Sequence, residues 1–275
     1  MIDQICQIMH ATNGAYIGYV GGEPRYVIKP VLEERGLPGN PFGHPAIERG
    51  FKMGEAAGRE VLSYIVDFAE GWRGRTPRTE FAEIRDKGLC AVRDYIVEHD
   101  VEPNLIDLEY IASLDIDEGA ADRREGSILV GEGGRLWRID QGLTRGREPD
   151  ETVFGWREML KGPISDGVRA AIAAQDLKKR GELLKELGLE RRVIELELAR
   201  IYLKKCAVER GLSFFDITCL LKAYPVGYFD TYCAFAEVWE DFGEIERLCD
   251  KALTQSAEPW ALEMSRDLSK HPSSL

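Results

Sequence analysis

The chain has 275 residues, 44% of them apolar and 31% charged, a balance that points to a soluble globular protein and away from disordered or fibrous classes. Its 36 Lys and Arg stand against 48 Asp and Glu, for a net charge of −12. An unassisted nucleic-acid binder, which needs many cationic contacts to phosphate, is therefore not expected. No apolar run nears the ~18 residues of a membrane helix.

In chain order, the first third reads as β-rich. Tyr16-Ile17, Tyr19-Val20 and Tyr26-Val27-Ile28 alternate with Gly18 and Gly21-Gly22, a strand–turn–strand pattern. Glu33 to Pro45 is rich in Gly and Pro and reads as a loop. Residues 55–69 carry Val61, Leu62, Ile65, Phe68 and Ala69 at helical spacing, which predicts a helix with one buried stripe. Thr79 to Ile84 and Leu89 to Val92 read as strands. Leu105 to Leu114 is a helical candidate, and Ser127 to Val130 with Leu136 to Ile139 a hairpin around Gly131-Glu132-Gly133-Gly134. Beyond residue 165 the pattern is helical: 166–174, 176–187 and 190–210, then a helix opened by Ser213 and Asp216 in a capping box. Glu237 to Asp250 holds six acidic residues and one Arg247, a solvated acidic face. The expected architecture is α+β, a small β-rich lobe followed by a larger helical one.

The six cysteines (Cys6, Cys90, Cys206, Cys219, Cys233, Cys249) form no CxxC pair and have no His at metal spacing, so reduced, mostly buried thiols are expected. Met1-Ile2-Asp3-Gln4 lacks the basic and apolar regions of a secretory signal. Both observations point to a cytoplasmic protein without stable membrane insertion.

Four features stand in the order that phosphoryl transfer requires. Gly14-Ala15-Tyr16-Ile17-Gly18 reads as a hairpin able to lay backbone over phosphates. Lys29 ends an apolar strand, where its ammonium can reach α- and β-phosphates. Asp122, with Ser127 five residues on, reproduces the D-x-x-x-x-N spacing of a kinase catalytic loop, and Asp140 with Gly142 the D-x-G metal site one hairpin later. Such a loop offers one carboxylate to the attacking hydroxyl and one oxygen to Mg²⁺, and the hairpin returns a second carboxylate to the same ion.

Across residues 13–220 the chain resembles the phosphatidylinositol 3/4-kinase superfamily, in particular the plant-type gamma phosphatidylinositol 4-kinases and small bacterial relatives. The anchors are Ile28-Lys29-Pro30 with Glu33-Glu34, Gly39-Asn40-Pro41, Gly54 to Asp67, Thr76-Pro77-Arg78-Thr79, Lys87 to Val92, Ser113-Leu114-Asp115, the Asp122 and Asp140 segments, Trp156 before Pro163, and Leu203 to Ile217. The resemblance implies a bilobal protein-kinase-like fold, with an N-lobe over residues 1–97 and a C-lobe over 98–275. It also implies use of ATP with Mg²⁺ or Mn²⁺. Lys29 would contact the phosphates and Glu60 would pair with it; Glu55 begins the same helix, and periodicity does not separate the two. Asp122 would be the catalytic-loop aspartate and Asp140 the principal metal ligand. Adenine would lie against Tyr95-Ile96-Val97, with Ile17, Val27 and Ile139 as apolar walls.

The chain departs from the family pattern twice: Arg124 stands where His is usual, and Ser127 where Asn is usual. Arg cannot act as a base at neutral pH, and a hydroxyl is a shorter ligand than an amide carbonyl. Two classes of function follow, with a small-molecule phosphotransferase on the same fold also open, since fold does not fix substrate. One is an active kinase acting on a protein hydroxyl or an inositol lipid, with protein favoured; the other is a nucleotide-binding pseudokinase serving as an interaction module. Protein is favoured because the basic groupings Arg73, Arg75, Arg78 and Lys178-Lys179-Arg180 hold three charges each, below the ~4–8 of a lipid-binding cluster.

Overall fold

In the computed structural model, which describes residues 2–9, 11, 13–34, 37, 40, 52, 54–71, 74–121, 123–146 and 155–223, the sheet begins at a pair of glycines. Gly21 and Gly22 adopt φ of 61° and 83°, backbone that a side chain would strain. They turn β2 (Tyr16–Val20) back onto β3 (Glu23–Pro30), placing Ile17 opposite Val27. β4 (Thr79–Ile84) and β5 (Gly88–Asp94) form a second hairpin, and β1 (Gln4–Gln7) adds an edge that the sequence did not signal. The five strands run antiparallel in the order β1-β2-β3-β5-β4.

The pleat gives the sheet two unlike faces. Tyr16, Ile28, Cys90 and Val92 share one with Ile2 and Ile5. On the other, Ala91 packs against Ala57 and Val61 of α1 (Ala56–Glu70), the helix between β3 and β4. α1 starts where the Ala56 N–H donates to the Glu34 carboxylate at 2.9 Å, a negative charge at a helix N-terminus.

The helix exists as expected but its buried surface is not one apolar stripe. Phe68 is 73% exposed, whereas Arg59, Glu60, Ser63 and Asp67 are buried. α1 is covered on several sides: Val61 and Ile65 face the sheet, Leu62 and Val66 pack with Leu184, Ile194, Leu198 and Ile201, and the polar side meets ionic partners. Phe68 stacks instead on Tyr64 outside these contacts, at 6.1 Å between ring centroids.

α2 (Leu105–Glu118), capped by Asn104, runs through the principal core with α3 (Asp166–Ala173), α5 (Arg191–Glu209) and α6 (Phe214–Ala223). α4 (Leu177–Glu186) packs on α5 through Leu184 and Leu198. Ser213 and Asp216 make the reciprocal capping box: the Ser213 N–H donates to Asp216 Oδ2 at 2.9 Å, and the Asp216 N–H to Ser213 Oγ at 3.2 Å. β6 (Ile128–Val130) and β7 (Leu136–Arg138) form the expected second sheet of two strands. Cys90 is buried, and burial pushes its thiol up to about 11, while Cys6 and Cys206 are half-buried. The acidic stretch Glu237 to Asp250, most of the 33–45 loop, Cys233 and Cys249 lie outside the described residues.

Buried ion pairs tie these parts together. Glu118 takes Arg138 at 2.7 Å, Arg145 at 3.0 Å and the Ser63 hydroxyl at 2.9 Å. Glu197 takes Arg145 at 2.7 Å and Arg180 at 2.5 Å. Arg75 is likewise buried against Asp107. Arg75 and Arg180 are therefore buried, although each stands in a basic grouping of the sequence. Lys204 meets Asp117 at 2.5 Å with both side chains fully covered. Burial raises the Asp117 pKa and lowers that of Lys204, so desolvation outweighs their mutual attraction on each side. Lys204→Met alone should cost about 3–5 kcal/mol, because it strands a buried carboxylate, whereas Lys204→Met with Asp117→Leu should lose little or gain stability. Urea denaturation of the three proteins checks this; equal losses in the single and double variants would contradict it.

Candidate active site

Lys29 lies on the α1 face of β3, opposite the small Ala91, which leaves room for its long side chain. Its ammonium pairs with Glu60 of α1 and, at 2.5 Å, with Asp140 Oδ1. Of the two carboxylates at the start of α1, Glu60 is buried and meets Lys29. Glu55 binds Arg59 at 2.6 Å, and Arg59 in turn donates to the Thr144 carbonyl. Burial works against the Lys29 ammonium, but Asp140 and Glu60 outweigh it and hold its pKa above the usual value. Lys29 holds the Asp140 carboxyl down to about 2, against the opposing effect of burial.

Asp140 itself is in the left-handed region, at φ 66° and ψ 56°, a conformation a non-glycine residue holds only when its surroundings fix it. Arg123 does the fixing. Its guanidinium forks onto Asp115 at 2.8 and 2.9 Å, and reaches the Ile139 carbonyl at 2.6 Å and Gln141 Oε1 at 2.5 Å, the two neighbours of Asp140. Trp156 Nε1 donates to the same Asp115 at 2.9 Å. Gly142 completes the support: a Cβ there would come within 3.1 Å of the Ala56 Cβ, so glycine lets the short 3₁₀ turn Gln141–Leu143 close on the start of α1.

The hairpin brings Ser127 alongside. The Ile139 N–H donates to the Ser127 carbonyl at 2.9 Å, which places Ser127 across the ladder beside Asp140. Asp122 lies outside the described residues, but its neighbours are anchored to the Asp140 segment: the Ala121 N–H donates to the Leu143 carbonyl at 2.9 Å, and Arg123 makes the contacts above. Arg124 is exposed.

The donor set suits Mg²⁺. Asp140 is an ionised carboxylate whose side chain is 64% exposed, a hard oxygen donor open to solvent, while Ser127 is buried. No cluster of three His, Cys, Asp or Glu side chains able to hold a metal occurs among the described residues. Mg²⁺ uses few protein ligands and keeps water or substrate phosphate in its other positions.

The proposed nucleotide walls divide between the two faces. Ile17 and Val27 share the face of Lys29, and Ile139 is half-buried next to Asp140. The Tyr16 phenol lies on the opposite face, bound to Glu33 at 2.6 Å and Lys87 at 2.5 Å. Gly14 to Gly18 belongs to the β1–β2 hairpin, not at its tip: Gly14 and Ala15 end the connecting loop, the Ile8 N–H donating to the Ala15 carbonyl at 2.8 Å, and Tyr16 already starts β2. Tyr95 and Ile96 are half-buried after β5, where the Tyr95 N–H donates to the Arg25 carbonyl at 2.9 Å, and Val97 is 57% exposed. Sequence reasoning assigned no role to Asp115 or Arg123. The signal for both was present as carboxylates in a largely apolar helix and a cation beside Asp122; each partner is remote in sequence.

The chain is distantly related to plant proteins named as phosphatidylinositol 4-kinases. It is 30% identical to phosphatidylinositol 4-kinase gamma 4 of Oryza sativa subsp. japonica over 233 residues, 71% of this chain and 40% of that protein. Against phosphatidylinositol 4-kinase gamma 4 of Arabidopsis thaliana the identity is 29% over 254 residues, 76% of this chain and 45% of the relative. Phosphatidylinositol 4-kinase gamma 3 of Arabidopsis thaliana is 27% identical over 267 residues, with the same coverage of 76% and 45%. The chain spans less than half the length of these relatives. No protein-family model matches it.

The Lys29 bridge has a titration signature. Asp140 contributes stability above its unfolded pKa near 3.8, and that contribution disappears as the pH falls through about 2. In Lys29→Met the Asp140 carboxyl should titrate at or above its ordinary 3.8, so the variant should lose less stability than the wild type between these two pH values. Carboxyl NMR titration together with acid denaturation checks it.

Proposed function

We propose that the chain is an ATP- and Mg²⁺-dependent kinase with a bilobal protein-kinase-like arrangement, residues 1–97 forming the N-lobe and 98–275 the C-lobe. The observation that carries this reading is the Lys29–Glu60–Asp140 constellation. A lysine on the third strand, a carboxylate on the helix between the third and fourth strands and an aspartate of a D-x-G segment converge on one point. Kinases require that lysine–carboxylate pair and that metal-binding aspartate in place together. The strand order and the named relatives support the reading independently.

In this scheme Lys29 turns its ammonium to the α- and β-phosphate oxygens, and Glu60 keeps it from swinging away. Asp140 and Ser127 hold Mg²⁺, which supplies charge neutralisation of the phosphates when bound. Asp122 accepts the proton of the acceptor hydroxyl, whose oxygen forms the new P–O bond to the γ-phosphorus as the bond to the ADP oxygen breaks. Ile17, Val27 and Ile139 border the base, with Tyr95 to Val97 at the rim. Arg123 aims Asp140 without touching substrate.

The acceptor we favour is a protein hydroxyl, although the names of the relatives point to an inositol lipid. The burial of Arg75 and Arg180 supports this choice, because it removes cations from both groupings that could have met an anionic bilayer. A second reading, nucleotide binding without turnover, draws on Ser127 in the place of an amide ligand.

Asp140→Asn should abolish phosphotransfer, and Lys29→Met should reduce it by about 10²–10³. Ser127→Asn should raise activity or relax a requirement for Mn²⁺. These outcomes are read with γ-labelled ATP and Mg²⁺ or Mn²⁺, offering protein substrates, phosphatidylinositol vesicles and the chain alone. Wild-type rates in both Lys29→Met and Asp140→Asn would overturn the site. Lipid labelling with silent protein lanes would overturn the acceptor, and nucleotide binding with no labelled product would establish the second reading.

A further inference from the structure

Arg93 occupies the strand next to Lys29. In the ladder it faces Val27 on β3 and Thr79 on β4, while Lys29 faces Ala91, so Arg93 and Lys29 are diagonal neighbours on the α1 face. Such residues lie about 7–8 Å apart at Cα, within joint reach of long side chains. Arg93 is 8% exposed. Its Nε and Nη1 are buried and have no hydrogen-bond partner among the described residues. The guanidinium makes no ion pair among the described residues, in contrast to Arg123, Arg138, Arg145 and Arg180, each of which has a carboxylate. Its charge nonetheless acts on the site: it opposes the Lys29 ammonium, whose pKa Asp140 and Glu60 still hold above the usual value, and it adds to the hold of Lys29 on the ionised Asp140 carboxyl. A buried cation left unpaired is costly, and an anionic ligand in the same space removes that cost.

We propose that Arg93 is a second cationic arm of the site, which donates to a phosphate oxygen of the bound nucleotide on the side of Lys29 nearer Tyr95. The inference rests on the nucleotide reading above and adds a residue to it. Binding depends more on the phosphates than on the base, and the ligand gives the Arg93 guanidinium the hydrogen-bonded anion that it lacks among the described residues.

The test is calorimetric titration of the full chain with ATP, ADP, inorganic tripolyphosphate and adenosine, for the wild type, Arg93→Met and Arg93→Lys, with thermal melts of each ligand-free protein. Arg93→Met should weaken ATP, ADP and tripolyphosphate by about tenfold to a hundredfold, the range of a charged hydrogen bond, and leave adenosine unchanged. Arg93→Lys should recover part of the loss. The ligand-free Arg93→Met protein should melt no lower than the wild type, since it discards an unpaired buried charge. Equal weakening of adenosine and ATP, unchanged phosphate affinities or a lowered melting temperature with uniform loss would overturn the proposal while leaving the nucleotide site standing. A wild-type chain that binds none of the four ligands would overturn both.

Discussion

Everything that positions the candidate site depends on one constraint: Glu118 is a buried carboxylate that must be matched by cations from several elements at once. Burial pushes its pKa up, and Arg138 and Arg145 more than reverse this, holding it well below the usual range. Arg138 ends β7, two residues before Asp140; Arg145 follows the turn after Asp140; Ser63 belongs to α1. Satisfying Glu118 therefore fixes both flanks of Asp140 and the helix that carries Glu60. Arg138 also donates to the Thr76 hydroxyl at 2.8 Å, which brings in the segment leading to β4. Removing one member would strand the others in low dielectric, so the network behaves as a unit.

This arrangement differs in kind from an apolar core. Apolar packing is tolerant of small shifts, whereas forked contacts between guanidinium and carboxylate demand fixed angles and distances. Arg123 illustrates the point. One side chain satisfies Asp115 behind it, the Ile139 carbonyl before Asp140 and the Gln141 amide oxygen after it. That grip accounts for an aspartate held at φ 66°. The rigidity lies below the site, and the carboxylate it presents remains open to solvent.

Elements whose signal is local were legible in the sequence. Gly21-Gly22 announced the β2–β3 turn, the Ser213–Asp216 pair announced α6, and Gly131 to Gly134 announced the β6–β7 hairpin. β1 escaped notice because Gln4 and Gln7 at its ends are exposed and an edge strand four residues long has little apolar alternation to show. The buried side of α1 was misread at Phe68 because periodicity ranks residues by hydropathy, and this helix buries Arg59, Glu60, Ser63 and Asp67 through partners elsewhere. The network was illegible for the same reason: Ser63 and Glu118 are 55 positions apart, Arg138 and Thr76 62, and Arg145 and Glu197 52. No window of local sequence contains both members of such a pair. Composition even misleads here, since Arg75 and Arg180 look like surface charges until their carboxylates are known.

The Lys29 bridge has a thermodynamic consequence. A single ammonium joins a carboxylate of α1, a helix packed on the sheet, to the carboxylate of Asp140. Seating of α1 and binding of any charge at Asp140 are thereby two equilibria that share one ammonium. By linkage, the factor by which a displaced α1 weakens a ligand at Asp140 must equal the factor by which that ligand alters the seating of α1. Any contact on the far surface of α1, where Phe68 stacks on Tyr64, that shifts its seating is thus energetically audible at Asp140 without a route of touching residues between them.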